Sequence, residues 1–273
     1  FSKHIFEESL LGNIIDSSIV LNDGDITAIN FNDNTPDEAS CSFLFNKFKK
    51  IDLAMLNYNC AGPYPSCFDN LNKQEKINEH RKLLNRNFNH LCNIIPILQA
   101  RSVLPFAGSY IIAGSNSEKN EYLGTTTIDE CSDYLEENLD FNSKIVCLRE
   151  NQTFNIKTQE QPEEYERINL QEMQKYIKSI KDKKYDFEED EMPEISKLIE
   201  DLQTSSEKLI ERVNKFNVKL QSNVFIEVND KNIQVVKGED SNRNLNCKLD
   251  LRLLRKILDK EAHWNNAEIG THI

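Results

Sequence analysis

The chain has 273 residues, 38% hydrophobic and 29% charged, a composition that can bury a substantial core. Its 45 acidic and 33 basic residues leave a formal net charge of −12. That balance, with no basic run interleaved with aromatics, argues against nucleic acid as a partner. No apolar stretch approaches the about 20 residues that span a bilayer, and no signal peptide is visible. The seven cysteines include no CxxC pair, so no zinc ribbon or disulfide framework is indicated, and the chain reads as cytoplasmic.

Residues 17–33 predict a hairpin: Ser18–Leu21, the turn cluster Asn22-Asp23-Gly24-Asp25, then Ile26–Phe31. Residues 51–58 form an apolar run of strand length that leads into the loop Cys60-Ala61-Gly62-Pro63-Tyr64-Pro65. Asn72 and Glu75 have capping-box spacing, and Leu84, Phe88, Leu91, Ile95 and Leu98 then mark one helix face, which Pro96 should kink or end. Short strands are expected at 102–106, 110–113 and 145–148.

From about residue 150 the character changes. Residues 159–219 are charged, poor in glycine and helix-periodic, with the acidic run 186–191 expected as a solvated linker. Strands are expected at 224–228, 233–236 and 245–249, followed by a helix opened by Asp250. The domain division is therefore 1–150, an α/β section, and 151–273, a helical and small-sheet appendage. The chain begins at Phe1 and its last residues, 267–273, look like the start of a strand, so it reads as a piece of something longer.

None of the five histidines, His4, His80, His90, His263 and His272, shows HxH or HxxxH spacing, and GxSxG, GxxxxGK[ST] and GxGxxG are absent. Three candidate spots remain. Asp33 is a carboxylate at a strand end, either a turn cap or an oxygen ligand for a metal. Asn57, Tyr58, Gly62 and Tyr64 lie in the polar and aromatic loop after a buried strand, where a rigid base presents binding groups. His263, Trp264 and Asn265 form either a ligand rim or a helix end with a packed indole.

The run SIVLNDGDITAINFNDN resembles the strand–turn–strand–Asp segment of the metallo-β-lactamase superfamily. DLAMLNYNCAGPYPSCF, LPFAGSYIIAG with the following NEYLG, and LDLRLLRKILDKEAHWNNAEIG are similar to a branch found in surface-polysaccharide biosynthesis clusters, close to the CMP-N-acetylneuraminate hydroxylases. The resemblance implies the C-terminal half of an αββα sandwich, with 1–150 as that half. It implies a metal-dependent hydrolase acting on a sugar-nucleotide or related anionic metabolite, with Asp33 as a metal ligand and Asn57, Tyr58, Gly62, Tyr64, His263, Trp264 and Asn265 near the substrate. The metal would be zinc or iron and would need ligands absent from this chain, because the superfamily's HxHxDH loop is missing. Ala107 stands where related hydrolases place histidine. Two alternatives remain: an iron-dependent oxygenase like the hydroxylases, or a non-catalytic binding module of the same fold. Half a sandwich also leaves a sheet face for the missing N-terminal half or another protein chain.

Overall fold

Asp23 makes the first turn. Its Oδ1 accepts from the backbone of Asp25 at 2.9 Å and of Ile26 at 2.8 Å, which holds its carboxyl below the usual carboxylate range. The turn joins β1 (Ile19–Asn22) to antiparallel β2 (Thr27–Asn30), as the sequence predicts. The computed structural model describes residues 18–106 and 108–273; His4 and Ala107 lie outside the described residues.

From β2 the chain runs through α1 (Glu38–Phe48), β3 (Leu53–Asn57), α2 (Lys73–Leu98), β4 (Ser102–Phe106), α3 (Ile128–Asn138) and β5 (Lys144–Ile145). The sheet order is β1-β2-β3-β4-β5, with β2 to β5 parallel. Strand register aligns Val20, Ile29, Ala54, Val103 and Ile145 in one row across the sheet. That row packs with Cys41 and Leu44 of α1, Leu84, Phe88, Leu91 and Leu98 of α2, and Cys131 and Leu135 of α3. All three helices therefore cover the same face. The opposite row, Ile19, Asn30, Met55 and Leu104, is half-buried at its centre. At its edge Ile19 is 56% exposed and its neighbour Leu21 67%.

The capping box opens α2 as expected: Asn72 Oδ1 accepts from Glu75 N at 3.1 Å, and Glu75 Oε2 from Asn72 N at 2.7 Å. Pro96 falls in the last turn, and the helix closes at Leu98 with Gln99 in the left-handed region (φ 50°), donating to Ile95 O.

On α2, the buried His80 donates from Nδ1 to Leu123 O. Burial pushes its imidazole below the usual 6.5. An unfolded His80 takes up a proton near that value, whereas the folded ring resists it to lower pH. The stability it contributes is thus complete above the unfolded pKa and falls as pH drops through the folded one. Between pH 7.5 and 5.0 the melting temperature of the native chain should fall further than that of His80→Gln; parallel curves would show that His80 carries no such linkage.

The change of character at residue 150 is not the boundary of a compact unit. Asp129 on α3 accepts from Tyr165 Oη at 2.7 Å and Ile168 N at 2.8 Å, while Lys144 Nζ donates to Gln159 O at 2.6 Å. These bonds fasten the segment after residue 150 to the first unit, which comprises 18–61, 69–111 and 121–176. The second comprises 62–68, 112–120 and 177–273. The boundary at 176/177 falls inside α4 (Leu170–Ile180).

The second unit builds its own core from α5 (Ile195–Lys215), β6 (Ser222–Val228), β7 (Lys231–Val236), β8 (Asp240–Cys247), α6 (Leu251–Leu258) and α7 (Trp264–Ile269). Asn229 and Asp230, both at positive φ (48° and 62°), make the two-residue turn between β6 and antiparallel β7. β8 pairs with β6 on its other side, in parallel. Leu198 and Leu202 of α5, Ile226 and Val228 of β6, and Leu253 and Leu254 of α6 fill the core.

Three local expectations are corrected. The apolar run 110–113 is not a strand, because the Asn120 side chain satisfies both backbone groups of Ile112 at 2.8 Å each. The acidic run is not a free linker: Phe187 within it is buried, and Asp190 pairs with Lys256 at 2.9 Å. The last residues form α7 and a turn, not a strand.

Candidate functional site

Parallel strands place their ligand sites beyond the carboxyl ends, where the loops gather and backbone groups need partners. A cavity of about 510 Å³ lies there in the first unit. Asp33 and Thr35 reach it from the turn after β2, Asn57, Asn59, Cys60 and Ala61 from β3 and its loop, and Gly108 and Tyr110 from the segment after β4. Thr125 completes the loop side, and Arg86, Asn87 and His90 of α2 form the remaining wall.

Local bonding fixes these groups. Asn30 Oδ1 accepts from Asn32 N at 2.7 Å, and Asn32 takes a positive φ of 55°, turning the chain so that Asp33 is exposed toward the cavity. Asn57 Nδ2 donates to Asp33 O at 3.1 Å, and Asn57 Oδ1 accepts from Asn59 N at 2.9 Å, so one amide ties the β2 and β3 loops together. The buried Asn59 exchanges two bonds with Thr126, Nδ2 to O at 3.0 Å and N to Oδ1 at 2.8 Å. Gly124 lies against the same loop: a Cβ there would stand 2.5 Å from Cys60 O, and Cys60 N donates to Gly124 O at 2.9 Å. Only glycine permits that approach.

The charges are few. His90 Nε2 lies 2.9 Å from Pro36 O, which requires the proton on Nε2 and leaves Nδ1 as the acceptor of the neutral ring. Arg86 is exposed, and among the described residues its guanidinium has no hydrogen-bond or ion-pair partner. Arg86 and His90 also border a shallower depression with Lys82, Asn85, Asn89 and Asn93, so the outer face of α2 is a stripe of cations and amides.

Of the residues singled out from sequence, Asp33 and Asn57 meet in this cavity. Tyr58 does not. Side chains alternate along a strand, so the residue after Asn57 turns to the helix side. Tyr58 is 2% exposed in the core, and desolvation pushes its phenol well up. Gly62 and Tyr64 belong to the second unit, where Tyr64 packs edge-on against Phe68 with ring centroids 5.0 Å apart. His263 is the exposed N-cap residue of α7, Asn265 is exposed, and Trp264 Nε1 donates to Glu268 Oε1 at 2.7 Å.

Sequence reasoning missed Arg86 and His90. Their spacing of four residues on the polar side of a helix was the available signal, and it is one that any solvated helix face also gives.

No helix among the described residues is long and apolar enough to cross a membrane. In comparisons with family models, curated proteins and solved structures, nothing matched this chain.

Proposed function

We propose that the first unit binds a small anionic metabolite of the sugar-nucleotide class, as the ligand-binding half of a protein of metallo-β-lactamase type. The observation that carries this reading is Arg86, a guanidinium without a partner among the described residues, on the wall of a cavity lined by amides and hydroxyls, in a chain with an excess of acidic residues. An exposed guanidinium beside amides and hydroxyls suits a phosphate or carboxylate, which it grips through two parallel donors. Support for the superfamily comes from the β1–β2 hairpin followed by Asp33, and from a sheet with α1, α2 and α3 on one face. An αββα sandwich needs such a half. A complementary half or another chain would lie on the face carrying Ile19 and Leu21.

Among the described residues, those of this cavity do not by themselves fit a zinc or iron ion. The oxygen, nitrogen and sulfur groups that could ligate one are Asp33, His90 and Cys60, and the Nε2 of His90 is already committed to Pro36 O. Hydrolysis or oxygenation would require further ligands, so no chemical step is assigned here. The hydrolase reading rests on the carboxylate of Asp33, exposed at a strand end beside the cavity.

Isothermal titration of the chain with CMP-N-acetylneuraminate and with uridine diphosphate glucose tests the binding reading. Saturable binding of at least one, weakened by added salt, is expected. Heatless titrations with both would remove its support. Elemental analysis of the native chain beside Asp33→Ala tests the hydrolase reading separately: metal retained by the first and lost by the second would restore it.

A further inference from the structure

The second unit holds a cavity of another kind. It measures about 520 Å³, within the range of small-molecule sites, and lies among α5, the three-stranded sheet, α6 and α7. Leu202 and Leu209 of α5, Leu245 of β8 and Leu254 of α6 give it apolar walls, and Trp264 lies beside them. Leu209 and Leu245 are 43% and 44% exposed, so the apolar lining reaches the protein surface. Among the described residues that line it, Glu268 alone carries a charge.

Glu268 is half satisfied. Its Oε1 accepts from Trp264 Nε1, and among the described residues no other donor bonds its carboxylate. A carboxylate can take about four donors. Its field reaches into the cavity: the Cys247 thiol is pushed up first by burial and then by the charge of Glu268. We propose that this cavity binds an amphipathic cation, an alkylammonium whose chain lies among the leucines and whose head is met by Glu268 beside Trp264. A neutral alcohol would leave the carboxylate without a counter-charge, and a fatty carboxylate would be repelled by it. An ammonium supplies donors and charge together, and the indole face adds attraction for a cation. This inference does not draw on the anion site of the first unit.

Trp264 is the only tryptophan of the chain, so its emission reports on this cavity directly. The full chain is titrated at neutral pH with decylammonium, decanol and decanoate below their aggregation limits, following that emission. Decylammonium should give a saturable shift at least tenfold tighter than decanol, with decanoate weaker than both. In Glu268→Gln, which keeps an acceptor for Trp264 Nε1, the preference for the ammonium over decanol should drop below threefold while decanol affinity stays unchanged. Leu209→Arg, a surface-tolerant change at the mouth, should weaken decylammonium at least tenfold, with far-ultraviolet circular dichroism confirming that both variants are folded. Absence of any saturable shift, decanoate binding as tightly as decylammonium, a preference that survives Glu268→Gln, or indifference to Leu209→Arg would each overturn the proposal.

Discussion

Replacing Arg86 by alanine should cost the first unit most of its affinity for an anionic ligand while leaving its fold intact. Hydrogen bonds to a charged group contribute about 1.5–3 kcal/mol, roughly a 10- to 150-fold change in Kd. The side chain is exposed and makes no bond within the protein among the described residues, so nothing structural is lost with it. Arg86→Lys should recover part of the affinity, because the ammonium keeps the charge but not the paired donors. Titration calorimetry on the three proteins, with melting temperatures measured alongside, separates the outcomes. An unchanged Kd in Arg86→Ala would remove the observation on which the anion-binding reading stands.

Phe88→Ala should have the largest effect on stability. Phe88 is 2% exposed, packs in the core shared by α2 and the sheet, and lies 5.1 Å from the Tyr134 ring on α3. Truncating a buried phenylalanine costs about 3–5 kcal/mol through lost transfer energy and the cavity left behind. Equilibrium urea unfolding followed by circular dichroism should show a loss of that size. A loss below 1 kcal/mol would mean that α2 is not the beam on which the first unit is built.

The parts of the fold with strong local chemistry were legible in the sequence: the Asp23 turn, the Asn72–Glu75 capping box, the apolar run of β3, and the Asp250 cap of α6. Helix α1 was not, because only Ser40, Cys41 and Leu44 are buried while Phe43 is 63% exposed, which blurs any period. The run 110–113 misled because a distant asparagine supplied the bonds that a strand neighbour would have given. For the site, Asp33 and Asn57 stood out as polar residues at strand ends. Tyr58 is not one of them, because the strand alternation that carries it inward is hidden by the loop composition that follows. Arg86 and His90 could not be found this way, since a helix pattern says which side is buried and is silent on what its polar side faces.

Helices α1, α2 and α3 all lie on one face of the sheet, which fixes where the lining of the cavity can vary. In a doubly wound sheet the winding direction reverses, neighbouring loops splay apart, and the crevice between them becomes the site. Here β2 to β5 follow one another without a reversal, and the wall that the loops do not provide is the flank of α2. Positions 86 and 90, one helical turn apart, stand at a separation set by helix geometry, about 5–6 Å between their Cβ atoms. Phe88 and Leu91, locked in the core, prevent the helix from rolling. Side-chain exchanges at 86, 87 and 90 would therefore alter charge or reach at fixed points of the cavity wall without any loop insertion.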